Sequence, residues 1–220
     1  MCIVRFYEPT SGAPGDGCRG HNAGMDTTED DIAATAARWV VEEGLEYGPA
    51  KARAVRQLGL PARTRLPDNA VVEAAVREHI AVFCADTQPV ELQALRELAL
   101  VWMERLAPFR PHVSGAVWHG TATRLNDVFL QLFCDDAKAA EIHLLNRGWP
   151  YEVGSTTGFR GEVVDVLSVR SHCAALNETV GVHLLIYDAD DLRGALKPDA
   201  QGRKPRGDAN ALRLRLAPNA

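Results

Sequence analysis

The residues of this 220-residue chain whose types and spacing suit chemistry gather around two carboxylates, Asp127 and Asp165. Asp127 ends a run of small and polar residues, Gly115-Ala-Val-Trp-His-Gly120-Thr-Ala-Thr-Arg124-Leu-Asn126, and opens an apolar run from Val128 to Cys134. A glycine turn, a loop with a second glycine and an acid at the head of a buried strand make the shape of a phosphate-handling site. Glycine lets backbone N–H groups approach phosphate oxygens, and carboxylates hold a divalent cation against them. Gly115, Ala116, Gly120 and Thr121 are the candidate cradle, with Arg124 and His119 as nearby groups able to meet negative charge. Asp165 stands in Val163-Val164-Asp165-Val166-Leu167, where an acid among apolar residues needs a ligand or a water-facing strand edge.

Strands must position such groups, and the hydrophobic period falls toward two only beyond Pro111. Before it, the pattern predicts four helices. The first is capped by Thr28, carries Glu29, Asp30 and Asp31 in its first turn, buries Ile32, Ala36, Trp39 and Val40, and stops at Gly44. The second runs from Pro49 to Gly59 and carries Lys51, Arg53 and Arg56. The third, 68–83, faces Val72, Val76, His79, Ile80 and Phe83 inward, and the fourth, 87–106, does so with Leu92, Leu95, Leu98, Ala99, Trp102 and Leu106. Pro108 and Pro111 forbid its continuation.

Beyond these, strands are predicted at 112–114, 127–134, 149–153, 162–170 and 179–187, with helices at 137–147 and 188–196. On the second strand Asp127, Phe129, Gln131 and Phe133 share one face, and Val128, Leu130, Leu132 and Cys134 the other. The alternation of Leu and Arg over 209–216 leaves strand and short helix both open. The expected organisation is a disordered tail (1–24, rich in Gly, Pro, Ser and Asn), a helical region (25–107) and an α/β domain (108–220), together an α+β fold.

The stretch from Gly115 to Leu130 resembles the signature of the nucleotidyltransferase superfamily, whose members include DNA polymerase beta and the minimal nucleotidyltransferases. There a Gly-Ser turn is followed, after a short Arg/Gly-rich loop, by Ser-Asp-Ile-Asp-Leu. The turn glycine falls on Gly115, the loop glycine on Gly120, the serine before the first aspartate on Asn126, that aspartate on Asp127, and the apolar pair on Val128 and Leu130. The resemblance implies a mixed β-sheet with flanking helices. It implies Asp127 and Asp165 as magnesium ligands and catalytic carboxylates, and a loop cradling a nucleoside triphosphate through Gly115, Ala116, Gly120, Thr121 and Arg124. The activity implied is transfer of a nucleoside monophosphate to a small molecule, RNA or protein. The turn serine falls on Ala116, however, and the second aspartate on Phe129, whose ring cannot bind magnesium. The alternative is therefore a catalytically inactive relative that binds nucleotide, RNA or a protein partner.

Composition narrows the remaining classes. A formal charge of −5, from 29 acidic and 24 basic residues, gives no overall basic field to draw nucleic acid or an anionic membrane. Local basic groups, the 197–208 loop with Arg213 and Arg215 and the Lys51, Arg53 and Arg56 helix, are candidate RNA or phosphate contacts, or simply solvated charge. Five scattered cysteines without a C-x-x-C pair suit a reducing, cytoplasmic setting, and Cys18 with His21 is two ligands short of structural zinc. The sequence contains no apolar stretch long enough for a membrane span, and its N-terminal apolar run is too short for a secretory signal.

Overall fold

The computed structural model describes residues 23–199 and 202–217. All but Ala23 and Gly24 of the expected tail, and with it the Cys18–His21 pair, lie outside the described residues. The chain forms two compact units, one ending at Gln88 and the other beginning at Pro89. No helix among the described residues is long and apolar enough to cross a membrane.

The first unit is helical: α1 (Ala23–Glu43), α2 (Tyr47–Gln57) and α3 (Asn69–Phe83). Its core is built from Ile32, Ala33, Ala36, Ala37 and Val40 of α1, Ala50, Ala54 and Val55 of α2, and Val72, Val76 and Ile80 of α3. The many alanines let the helices approach closely where larger side chains would hold them apart. Helix α1 starts five residues before Thr28, so that residue lies inside the helix and does not cap it. Phe83, expected in the core, is exposed and lies against His79 with ring centroids 4.6 Å apart. The basic group on α2 is partly engaged within the unit. Lys51 donates to the Pro67 carbonyl at 3.0 Å and to Asn69 Oδ1 at 2.8 Å, while Arg53 pairs with Glu43 and covers the Trp39 ring at 3.6 Å.

The second unit is a six-stranded mixed sheet flanked by helices. After α4 (Gln88–Arg105) come β1 (His112–Ser114), α5 (Gly115–His119), β2 (Val128–Cys134), α6 (Ala139–Arg147), β3 (Tyr151–Thr157), β4 (Val163–Cys173), β5 (Glu178–Asp188), α7 (Leu192–Ala195), β6 (Arg206–Gly207) and α8 (Ala209–Leu216). The spatial order is β3-β4-β5-β2-β1-β6. Only β2 and β5 run parallel; every other neighbouring pair is antiparallel.

One face of this sheet is apolar over its centre. Val128, Leu130 and Leu132 of β2, Leu167 and Val169 of β4, and Val182, Leu184 and Ile186 of β5 pack with Leu95, Leu98, Trp102 and Leu106 of α4, Leu144 of α6 and Leu212 of α8. Helix α4, assigned by sequence to the helical region, thus belongs to the sheet unit, because its apolar stripe finds its complement on the sheet. The Leu/Arg alternation at 209–216 resolves as helix α8, capped by Asp208, whose Oδ1 accepts from the Ala211 N–H at 2.8 Å. The opposite face is different. Phe133, Val164, Val166, Leu185, Tyr187 and Ala195 form a small second cluster over part of it, and the rest is polar.

Candidate functional site

The stretch that suggested phosphate handling folds as β1, a sharp turn, one turn of helix and an ordered loop into β2. Gly115 makes the turn with φ of 67°, a left-handed conformation that residues with a Cβ rarely adopt. The expected cradle does not form behind it. The amides of Gly120 and Thr121 both donate to the Ala116 carbonyl, at 2.9 and 3.0 Å, closing α5, and Thr121 is buried. Arg124 pairs through its guanidinium with Glu178, and its amide donates to Glu91 Oε2 at 3.0 Å. Ala116 supplies no side-chain donor, and its carbonyl is the acceptor for that closure.

The two carboxylates are not brought together. Asp127 immediately precedes β2, whereas Asp165 lies on β4, and β5 stands between these strands. Val166 pairs with Leu185 and Leu185 with Gln131, which puts Asp165 level with Leu132. Five residues of strand, about 17 Å, separate that level from Asp127. The faces differ too. Asp165 shares the helix-covered side with Leu167 and Val169, while Asp127 shares the other with Phe129 and Gln131. Asp165 is exposed, so the water-facing reading of this acid is the one its surroundings satisfy. No single ion can be held by both carboxylates.

What the fold does place beside Asp127 comes from β5. Asp127 Oδ1 accepts from the Gly181 N–H at 2.9 Å, and Oδ2 lies 3.0 Å from His183 Nε2. The other ring nitrogen of His183, Nδ1, is 2.9 Å from Ser168 Oγ on β4. Phe129, at the position of the second aspartate in the resemblance, stacks on this imidazole with centroids 4.8 Å apart and planes 26° from parallel. The His183 bond, followed by the Gly181 amide, holds the Asp127 carboxyl below its ordinary range, against the opposing effect of burial. A Cβ at position 181 would lie 2.7 Å from the carboxylate, so only glycine leaves the space that Asp127 fills.

The polar row continues across β1 and β6. Ser114 pairs with Phe129 on one side and with Arg206 on the other, and ladder partners share a face. The Ser114 hydroxyl is buried with no hydrogen-bond partner among the described residues. Arg206 is buried, donates to Gln131 Oε1 at 2.6 Å and lies 4.9 Å from the Phe159 ring centre. His112, level with Gln131, has its imidazole pushed toward the neutral form mainly by burial, with the nearby Arg206 cation adding to that. Arg170, level with Gly181 on β4, is exposed and lies close enough to Asp127 to help lower its carboxyl.

The arrangement does not gather the ligand set expected for magnesium: the Asp127 oxygens accept from Gly181 and His183, the adjacent position on that face is a phenyl ring, and Asp165 is on the far face. Among the described residues no three His, Cys, Asp or Glu side chains are grouped to hold a metal ion. No family model matches the chain, and neither a curated protein nor a solved structure matches it.

The sequence reading found Asp127 and missed its partners. Gly181 and His183 lie two apart in the most apolar predicted strand, in phase with one face, and a lone histidine there was the available signal. Ser168 carried none, because only the β4–β5 register sets it opposite His183.

Proposed function

We propose that this chain is a divergent, nucleotidyltransferase-like protein whose polar sheet face binds a nucleotide or related phosphate-bearing ligand without a divalent ion, and that it does not perform metal-dependent nucleotidyl transfer. The observation that carries this reading is the engagement of both Asp127 oxygens by Gly181 and His183, with Phe129 stacked where a second carboxylate would be needed. Metal-assisted transfer uses several carboxylates gathered on the ion, and among the described residues Asp127 is not part of such a group. The same face offers what an anionic, aromatic ligand uses: the exposed Arg170 cation, the buried Ser114 hydroxyl and the flat Phe129–His183 pair.

Calorimetric titration with ATP, GTP, CTP and UTP, in magnesium and again in EDTA, tests the proposal. Binding of at least one nucleotide with a Kd unchanged within about twofold by EDTA, and weakened about tenfold or more by Arg170→Ala, is the expected result; loss of one charge-assisted contact is worth that much. Labelled product formed from a triphosphate by the wild type and absent with Asp127→Ala would overturn it, as would the failure of all four nucleotides to bind.

A further inference from the structure

Three side chains from adjacent strands form one hydrogen-bonded chain on the polar face: Asp127, His183 and Ser168. The direction of the protons along it follows from chemistry. Ionised Asp127 can only accept, so His183 Nε2 donates to it; a neutral ring then has its lone pair on Nδ1, and the Ser168 hydroxyl must be the donor across the 2.9 Å contact. That is the tautomer in which an imidazole acts as base toward a hydroxyl. In the Ser-His-Asp template the same logic uses Nε2 toward serine and Nδ1 toward aspartate; the two nitrogens are exchanged here without changing the proton logic.

The surroundings hold the ring in this pose. Ser168 and His183 are directly opposite in the β4–β5 ladder, Phe129 stacks on the imidazole, and Gly181 both leaves space for the Asp127 carboxylate and donates to it. Ser168 is half-buried and His183 largely so, while Asp127 reaches solvent. Such a chain does nothing needed for folding that a packed apolar trio would not do as well.

We propose that Ser168 is a nucleophile toward activated esters, with His183 as its general base and Asp127 as the positioning residue. Ser168 Oγ attacks the ester carbonyl, forming the Oγ–C bond as the hydroxyl proton passes to His183 Nδ1. The C–O bond to the leaving group breaks, and the departing alkoxide takes that proton. Water, deprotonated by the same nitrogen, then cleaves the acyl-serine and releases the acid and Ser168. Arg170, two residues along β4 on the same face, supplies the cation that an ester with an anionic group would meet. The inference does not rest on nucleotide binding: Ser168 reacts or fails to react whether or not a nucleotide occupies the face.

The test is labelling of the full chain with a fluorophosphonate probe, which bonds phosphorus to an activated serine and releases fluoride, read by intact mass and peptide mapping. The expected result is a single adduct on Ser168, abolished by Ser168→Ala, slowed about 100-fold by His183→Gln as for loss of a general base, and unaffected by Ser171→Ala on the opposite face. Asp127→Asn is expected to slow labelling and to shift the rising limb of its pH profile, which a purely structural role would leave in place. A wild-type protein that is folded by circular dichroism and takes up no probe overturns the proposal, as does an adduct that persists in Ser168→Ala. If His183→Gln fails to fold, the Ser168→Ala result and the Asp127→Asn pH profile decide the matter.

Discussion

On β2 the residues facing the helices are Val128, Leu130, Leu132 and Cys134, and those facing the other way, starting just ahead of the strand, are Asp127, Phe129, Gln131 and Phe133. Both sets are held by one backbone and the same two ladders, so strand pairing cannot account for the difference between them. On the helix side, contacts are between interchangeable apolar groups, and the stabilisation comes from area removed from water. On the other side they are between particular atoms: Gln131 Oε1 with Arg206, Asp127 with His183 and Gly181, His183 with Ser168. A stable sheet needs only the first kind. The second kind is the expected mark of a face kept for a ligand or for chemistry, since its members lose hydration and regain it only through exact partners.

Substitutions on neighbouring residues of β2 break this comparison most directly. Leu130→Ala, on the helix side, is expected to destabilise the sheet unit by about 3 kcal/mol in urea denaturation, the cost of a buried leucine removed to leave a cavity. Gln131→Leu, one residue on and equally buried, keeps the volume but takes the amide acceptor from Arg206; a loss of about 2 kcal/mol is expected, without a cavity. If Gln131→Leu is neutral or stabilising, that part of the polar face is not kept by its hydrogen bond.

Asp127→Asn should have a smaller effect, present at neutral pH and lost in acid. Because the folded carboxyl lies below its unfolded value near 4, Asp127 contributes stability that is complete above that value and lost as pH falls through the folded one. Thermal melts of wild type and variant should therefore differ at neutral pH and converge below about pH 4. Curves that stay parallel down to pH 3 would remove the His183–Asp127 bond as the cause. The smallest effect is expected at Cys134, at the end of the helix-facing set, whose thiol is pushed up to about 11 chiefly by burial and by Asp135. Iodoacetamide at pH 8 should leave Cys134 unmodified in the folded protein and alkylate it in urea; rapid alkylation without denaturant would mean that this face opens.

The strands around Asp127 were legible because alternation of apolar and polar residues has a period of two, and their predicted bounds lie close to those of β1, β2 and β5. Helix α4 was legible as a helix but not as a part of the sheet unit, since an apolar stripe does not name its partner. The cradle was misread because Gly115 and Gly120 are as necessary to a short capped helix as to a phosphate loop, and the Gly120 amide goes to the Ala116 carbonyl. Asp165 was misplaced because counting along β4 gives its phase on that strand but not which strands separate it from β2, nor which face Asp127 takes.

By itself the sequence determined the α+β class, most of the inward residues of the helices and strands, and the choice of Asp127 as a candidate. These depend on local periodicity and on the chemistry of single residues. Only the tertiary structure decided what Asp127 does, because its partners stand 54 and 56 residues away on β5, brought alongside by a parallel ladder whose register no local pattern encodes. The antiparallel ladder between β5 and β4 then makes a serine that looked ordinary in the sequence the end of a hydrogen-bonded chain.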